Sequence, residues 1–105
     1  MEFVITTVNK AEDAEKLAED LVSSGLSPCV NLIEVHDSIY IWKGELVHER
    51  EHILLIKGEN HKKISEYLMK NHPYEVPEII WFRGEISSDN YGNWFNSYFA
   101  KDSHN

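Results

Sequence analysis

Ser38-Ile39-Tyr40-Ile41-Trp42-Lys43-Gly44-Glu45-Leu46-Val47-His48 decides the fold. Two runs rich in β-branched and aromatic residues flank Lys43-Gly44, and Gly supplies a positive φ that a two-residue hairpin turn needs. The first strand extends back to Cys29-Val30-Asn31-Leu32-Ile33, with a bend expected at His36-Asp37. The second runs from Glu45 to Lys57. A two-residue turn pairs Trp42 with Glu45 and fixes the rest: Tyr40 faces Val47, Ile39 faces His48, Asp37 faces Arg50 and His36 faces Glu51. The outer half carries Glu45, His48, Glu49, Arg50, Glu51 and His52, so the hairpin should project from the body. His48-Glu49-Arg50-Glu51-His52 has the letters of the HExxH zinc motif, but that motif needs a helix. On a strand the two imidazoles stand about 13 Å apart, too far to chelate one ion.

Working outward, Phe3 to Val8 is a continuous apolar and β-branched run that reads as a buried central strand. Asn9 with Glu12 forms a capping-box pattern. Ala11, Ala14, Leu17, Ala18, Leu21 and Val22 then make one apolar helical face. Gly25 suits the left-handed position after that helix, with Leu26 folding back on Leu21. Beyond the hairpin, Gly58 ends the strand and Asn60 caps a second helix with Ile64, Tyr67 and Leu68 inward. His72-Pro73 stops it. His72-Pro73-Tyr74-Glu75-Val76-Pro77-Glu78-Ile79 is a stiff extended connector, because each proline also restricts the residue before it. Glu78 to Phe82 reads as a strand. Ser87 or Ser88 caps a last helix, with Tyr91, Trp94, Phe95, Tyr98 and Phe99 in one stripe, and residues 101–105 read as a frayed tail. The order is βαββαβ plus a C-terminal helix: an α+β, ferredoxin-like sandwich in one domain spanning 1–105. Two helices cover one face of the sheet. The other face needs a partner, and self-association is the expected one.

The chain has 105 residues, with 18 Asp and Glu against 10 Lys and Arg and a net charge of −8. Phosphate backbones demand a basic face, so nucleic acid is not expected as a partner. No run is long enough for a membrane span. One cysteine permits no internal disulfide, and the start of the chain lacks a basic, apolar leader, so a cytoplasmic location is expected. No phosphate loop or Ser-His-Asp order suggests itself, and an enzyme is not expected.

The motifs Cys29-Val30-Asn31, Ser38-x-Tyr40-x-Trp42-x-Gly44, Glu51-x-x-Leu54-Leu55-Ile56-Lys57, His72 to Ile79, and Tyr91-x-x-Trp94 follow in this order. Together they resemble the CutA family of divalent-cation tolerance proteins, from Val4 to Trp94. The resemblance implies a homotrimer built by adding strands of neighbouring subunits edge to edge. It also implies a role in tolerance of copper and other divalent cations, with metal-ion binding. The family's fold and assembly are similar to those of PII signalling proteins, so an alternative is a regulator binding a small anionic effector between subunits. The sequence departs from the family pattern at Ser27-Pro28, where Ala-Ala is common, and at Gly58, where Thr is common.

Within that frame, Cys29 and His72 are candidate metal ligands, a thiolate being suited to soft ions such as Cu(I). A buried strand cysteine and a helix-end imidazole are the plainer readings. Tyr40, Trp42, Lys57, Tyr74, Glu78 and Trp94 are candidates to line an intersubunit cleft, where amphipathic rings bury area and keep a polar tip. Trimer packing is the plainer reading for Trp42 and Trp94. Lys57 with Glu78 reads either as an ion pair or as a seat for an anionic ligand.

Overall fold

The computed structural model describes residues 1–100; the frayed tail expected at 101–105 lies outside the described residues. Strand β1 (Glu2–Val8) leads into helix α1 (Ala11–Ser23). The hairpin β2 (Cys29–Trp42) and β3 (Glu45–Gly58) follows, then α2 (His61–Asn71), β4 (Ile80–Arg83) and α3 (Asp89–Ala100). All strand pairs are antiparallel and the sheet order is β2-β3-β1-β4. The βαββαβ-plus-helix order is therefore the one expected.

One face of the sheet is packed. Val4, Val8, Leu54 and Ile56 point from β1 and β3 onto Ala14, Leu17 and Leu21 of α1 and onto Ile64 and Leu68 of α2. The α1 spacing places those three residues on one stripe, and the helix stops in a complete Schellman motif. Leu26 N–H bonds the Leu21 carbonyl at 3.1 Å, Gly25 N–H bonds Val22, and Gly25 takes φ 85°. Its start differs from expectation. Lys10, not Asn9, is the N-cap, and no side chain caps it. Asn60 does cap α2, its Oδ1 accepting from Lys63 N–H at 3.2 Å. Ser88 Oγ accepts from Tyr91 N–H at 3.3 Å at the start of α3. That helix docks through buried Phe95 and through Tyr98, whose hydroxyl donates to the Val22 carbonyl. β4 starts at Ile80, two residues later than expected, with Ile79 turned onto the core.

Among the described residues, no layer covers the opposite face. Ile33, Ile80 and Phe82 remain 45%, 53% and 41% exposed there. β2 and β4 are both edges of the sheet.

The hairpin register is as expected only near the turn. Lys43 and Gly44 take φ 50° and 80°, the doubly positive turn that suits the twist of a hairpin. Trp42 pairs with Glu45, Tyr40 with Val47 and Ile39 with His48. The expected pairs Asp37–Arg50 and His36–Glu51 do not form. A β-bulge sets His36 and Asp37 together against Arg50, so Val35 faces Glu51 and Ser38 faces Glu49. Asp37, freed from Arg50, meets His48 Nδ1 at 2.8 Å instead.

The bulge decides which side chains share a face. β3 presents Glu45, Val47, Glu49, Glu51, Ile53, Leu55 and Lys57 away from the helices, because Leu54 and Ile56 point into the core. Opposite them β2 presents Cys29, Asn31, Ile33 and Val35, then switches parity and presents Ser38, Tyr40 and Trp42. Were His36 and Asp37 instead paired one for one with Arg50 and Glu49, Ile39 and Ile41 would stand where Tyr40 and Trp42 do.

Candidate functional site: an acidic, aromatic cleft

Three elements meet at the C-terminal end of β1: the outer half of the hairpin, Thr7, and the connector between α2 and β4. His72 pins the connector down. It is the C-cap of α2, with φ −69° and ψ 135°. Its Nδ1 accepts from Tyr74 N–H at 3.0 Å, so Nε2 carries the proton and donates to the Thr7 carbonyl at 3.0 Å. Burial pulls its pKa below the ordinary histidine value, outweighing the Thr7 carbonyl and the charges of Asp13 and Glu51. The imidazole is thus a neutral clamp between backbone groups.

Tyr74 is carried by this clamp, its ring edge-on to His72 at 4.9 Å. Its hydroxyl donates to Glu51 at 2.9 Å and lies 3.4 Å from Glu49. Tyr40 donates to the other Glu49 oxygen. Both phenols are held in their neutral form. Burial and then Glu51 raise the Tyr74 pKa well above the ordinary range, and Glu49 pushes Tyr40 up to about 12. Glu51 is only 9% exposed.

These side chains, with Trp42, Glu75, Val76, Glu78 and Thr7, line an open cleft of about 420 Å³. Among the described residues it holds four carboxylates and no Lys, Arg or His. Of the six cleft candidates from the sequence, Tyr40, Trp42, Tyr74 and Glu78 come together here. Lys57 and Trp94 do not. Lys57 pairs with Phe3 and Cys29, four β1 residues from Thr7, and its Nζ lies 3.9 Å from Cys29 Sγ. It therefore makes no ion pair with Glu78. Trp94 sits on α3, 49% exposed, against Tyr91.

The two metal candidates are also apart. Cys29 is in the Lys57 row and His72 is bonded to Thr7, so they stand at opposite ends of the sheet, more than about 13 Å apart along β1 alone. Both ring nitrogens of His72 are engaged by backbone. Among the described residues, no three of His, Cys, Asp and Glu are grouped to hold an ion. The residues of one subunit thus do not fit a metal centre built on Cys29 and His72.

Glu49, Glu51 and Glu75 were not singled out as site residues. The outer hairpin reads as solvated because it is charged, and nothing local says that Tyr74 will fold over Glu51. The signal available was Glu51 itself, an acid opening an otherwise apolar strand half.

A family model described as CutA1 divalent ion tolerance protein matches residues 2–98. The Divalent-cation tolerance protein CutA of Thermus thermophilus is 42% identical over 81 residues, covering 75% of this chain and 79% of that one. The chloroplastic Protein CutA of Arabidopsis thaliana is 34% identical over 93 residues, covering 87% of this chain; the chain spans about half (51%) of that relative's length. Among solved structures, CutA1 from Pyrococcus horikoshii superposes with a TM-score of 0.88 at 29% identity, covering 96% of this chain and all of that one (100%).

Proposed function

We propose that this chain, which belongs to the CutA1 divalent ion tolerance protein family, works as a homotrimer that binds divalent or soft metal ions, copper among them. One observation carries the assembly: the sheet face away from the helices exposes Ile33, Ile80 and Phe82 with no layer over them among the described residues, and both sheet edges are free to pair. Copies adding edge to edge would cover that face. The metal part rests on the family's name and on the chemistry of Cys29, the one thiol in the chain. Since no three donors are grouped among the described residues of one subunit, the ligands would be shared between subunits. The role is binding, not catalysis. A free thiol beside Lys57 suits a reducing, cytoplasmic setting.

Sedimentation equilibrium tests the assembly, and a monomer at micromolar concentration would sink it. Calorimetric titration of the assembled protein with Cu(II), and with Cu(I) under reducing conditions, tests the ligand. Cys29→Ala is expected to weaken binding clearly, and unchanged affinity would remove Cys29.

A second reading, a PII-like regulator taking a small anionic effector, draws on one fact. Lys57 is half-buried, and its only polar partner among the described residues is the Cys29 thiol. Its charge is available to an anion. A thermal-shift screen of anionic metabolites tests it; a stabiliser whose effect is lost in Lys57→Ala supports the reading, and silence counts against it.

A further inference from the structure

We infer that protonation of His72 unfastens the connector from the body of the fold, which makes the junction of α2 and β4 an acid-operated latch. This goes beyond the metal and anion readings and rests on neither. Among the described residues, the hydrogen bonds that hold residues 73–78 are those of Tyr74. Its N–H donates to His72 Nδ1 at 3.0 Å, and its hydroxyl donates to Glu51 at 2.9 Å with Glu49 3.4 Å away. His72 is itself tied to β1 through Nε2, 3.0 Å from the Thr7 carbonyl. One imidazole thus joins α2, β1 and the connector.

A neutral imidazole has one donor and one acceptor, and both are used here. An imidazolium has two donors and no acceptor. A proton taken from solvent onto Nδ1 therefore sets two N–H groups against each other across 3.0 Å. No turn of the ring restores an acceptor for Tyr74. The Thr7 carbonyl still takes the Nε2 proton, so His72 stays and Tyr74 leaves. Asp13 of α1 and Glu51 of β3 are the charges that act on the ring, and both favour the imidazolium. Burial opposes it and is the larger effect, so the latch is shut at neutral pH and opens on the acid side of the ordinary histidine range. The freed segment is stiff, because Pro73 and Pro77 fix φ near either end. It should swing as a unit. It carries Tyr74, Glu75, Val76 and Glu78, so one wall of the cleft goes with it.

The test is NMR titration of the assembled protein from about pH 7.5 to about pH 4.5, following the His72 ring nitrogens, the Tyr74 amide and the Tyr74 ring. As the His72 ring charges, exchange of the Tyr74 amide with solvent should speed up roughly tenfold relative to its intrinsic rate, the effect of losing one ordinary hydrogen bond. The Tyr74 ring signals should move with the same midpoint, while the amides of Ile64 and Leu68 in α2 stay protected. A Tyr74 amide that stays protected after the His72 ring has charged would overturn the proposal. So would simultaneous loss of protection in α2, which is unfolding and not a latch. His72→Gln should show no transition at Tyr74; one that persists belongs to the carboxylates and overturns the proposal likewise. If that variant does not fold, Glu51→Gln takes its place. It removes one of the two charges that favour the imidazolium, so the transition should move to lower pH. An unmoved midpoint would show that the titrating group is not the imidazole beside Glu51.

Discussion

The hydroxyl of Tyr74 donates to the carboxylate of Glu51 at 2.9 Å, joining the connector to a strand 23 residues earlier. Glu51 is buried, and this phenol is its one hydrogen-bond donor among the described residues. Tyr74→Phe should therefore do more than delete a bond. It should strand a carboxylate, destabilising the fold by about 1–3 kcal/mol. Glu51→Gln in the same background should recover part of that loss, because an amide tolerates burial better than an ion. Urea denaturation of the two single variants and the double variant reads the coupling, and simple additivity would refute it.

The β-bulge offers a sharper test of the cleft. Deleting Asp37 removes the bulge and leaves His36 opposite Arg50, with Val35 still facing Glu51 and Ser38 still facing Glu49, so Tyr40 and Trp42 keep their places on the Glu49 face. Tyr40 owes its pKa of about 12 first to Glu49. The deletion should therefore keep it raised, and spectrophotometric titration should count the same phenols ionising near pH 10, the ordinary phenol value, in deletion and parent. One more phenol near pH 10 in the deletion would mean that the strand slips by one residue and turns Tyr40 away from Glu49.

These two relationships also mark where the sequence stopped being readable. α1 was legible to its last residue, because Leu spacing and Gly25 act locally. The hairpin turn was legible for the same reason. The place of the bulge was legible as the bend expected at His36-Asp37, but its extra residue was not, because Val35, His36 and Asp37 all tolerate extended backbone. The expected capping by Asn9 failed although the pattern was correct, since β1 ends its pairing at Val8 and the helix begins after Lys10. Lys57 and Glu78 read as partners because both were charged and flanked apolar runs. Their separation follows from antiparallel pairing, which puts the end of β3 beside the start of β1.

His72 gives a pH dependence whose sign follows from burial. Its pKa in the fold lies below the unfolded value near 6.5, so the unfolded chain binds the proton more readily. The stability it contributes is complete above about pH 6.5 and is lost as pH falls below it toward the folded pKa. Protonation would also place a proton on Nδ1, where Tyr74 N–H now donates. Melting temperature should fall between pH 7 and 5 more steeply in the parent than in His72→Gln. Parallel slopes would show that other groups set the acid limit.

Gly58 tests whether a glycine sits where it does for space. A Cβ there would lie 2.6 Å from Ile64 Cδ1 and 3.3 Å from the Leu26 carbonyl oxygen. Ile64 is fully buried under α2, so its terminal methyl cannot swing into solvent. Gly58→Ala should therefore cost about 1–3 kcal/mol, the usual range for forcing one carbon into a packed core. The β conformation itself offers no objection, since Gly58 is absent from the positive-φ residues. The loss is then steric and should be recoverable. Ile64→Val removes Cδ1 and by itself costs about 0.5–1.5 kcal/mol. In the double variant the new methyl occupies the space that Cδ1 leaves, and the Leu26 contact at 3.3 Å is the residual strain. Denaturation of the four proteins should give a favourable coupling of at least about 1 kcal/mol. Absence of coupling would mean that the backbone at Leu26, not the isoleucine, sets the limit. The same crowding explains why a larger residue after Lys57 would demand a different packing of α2 in this chain.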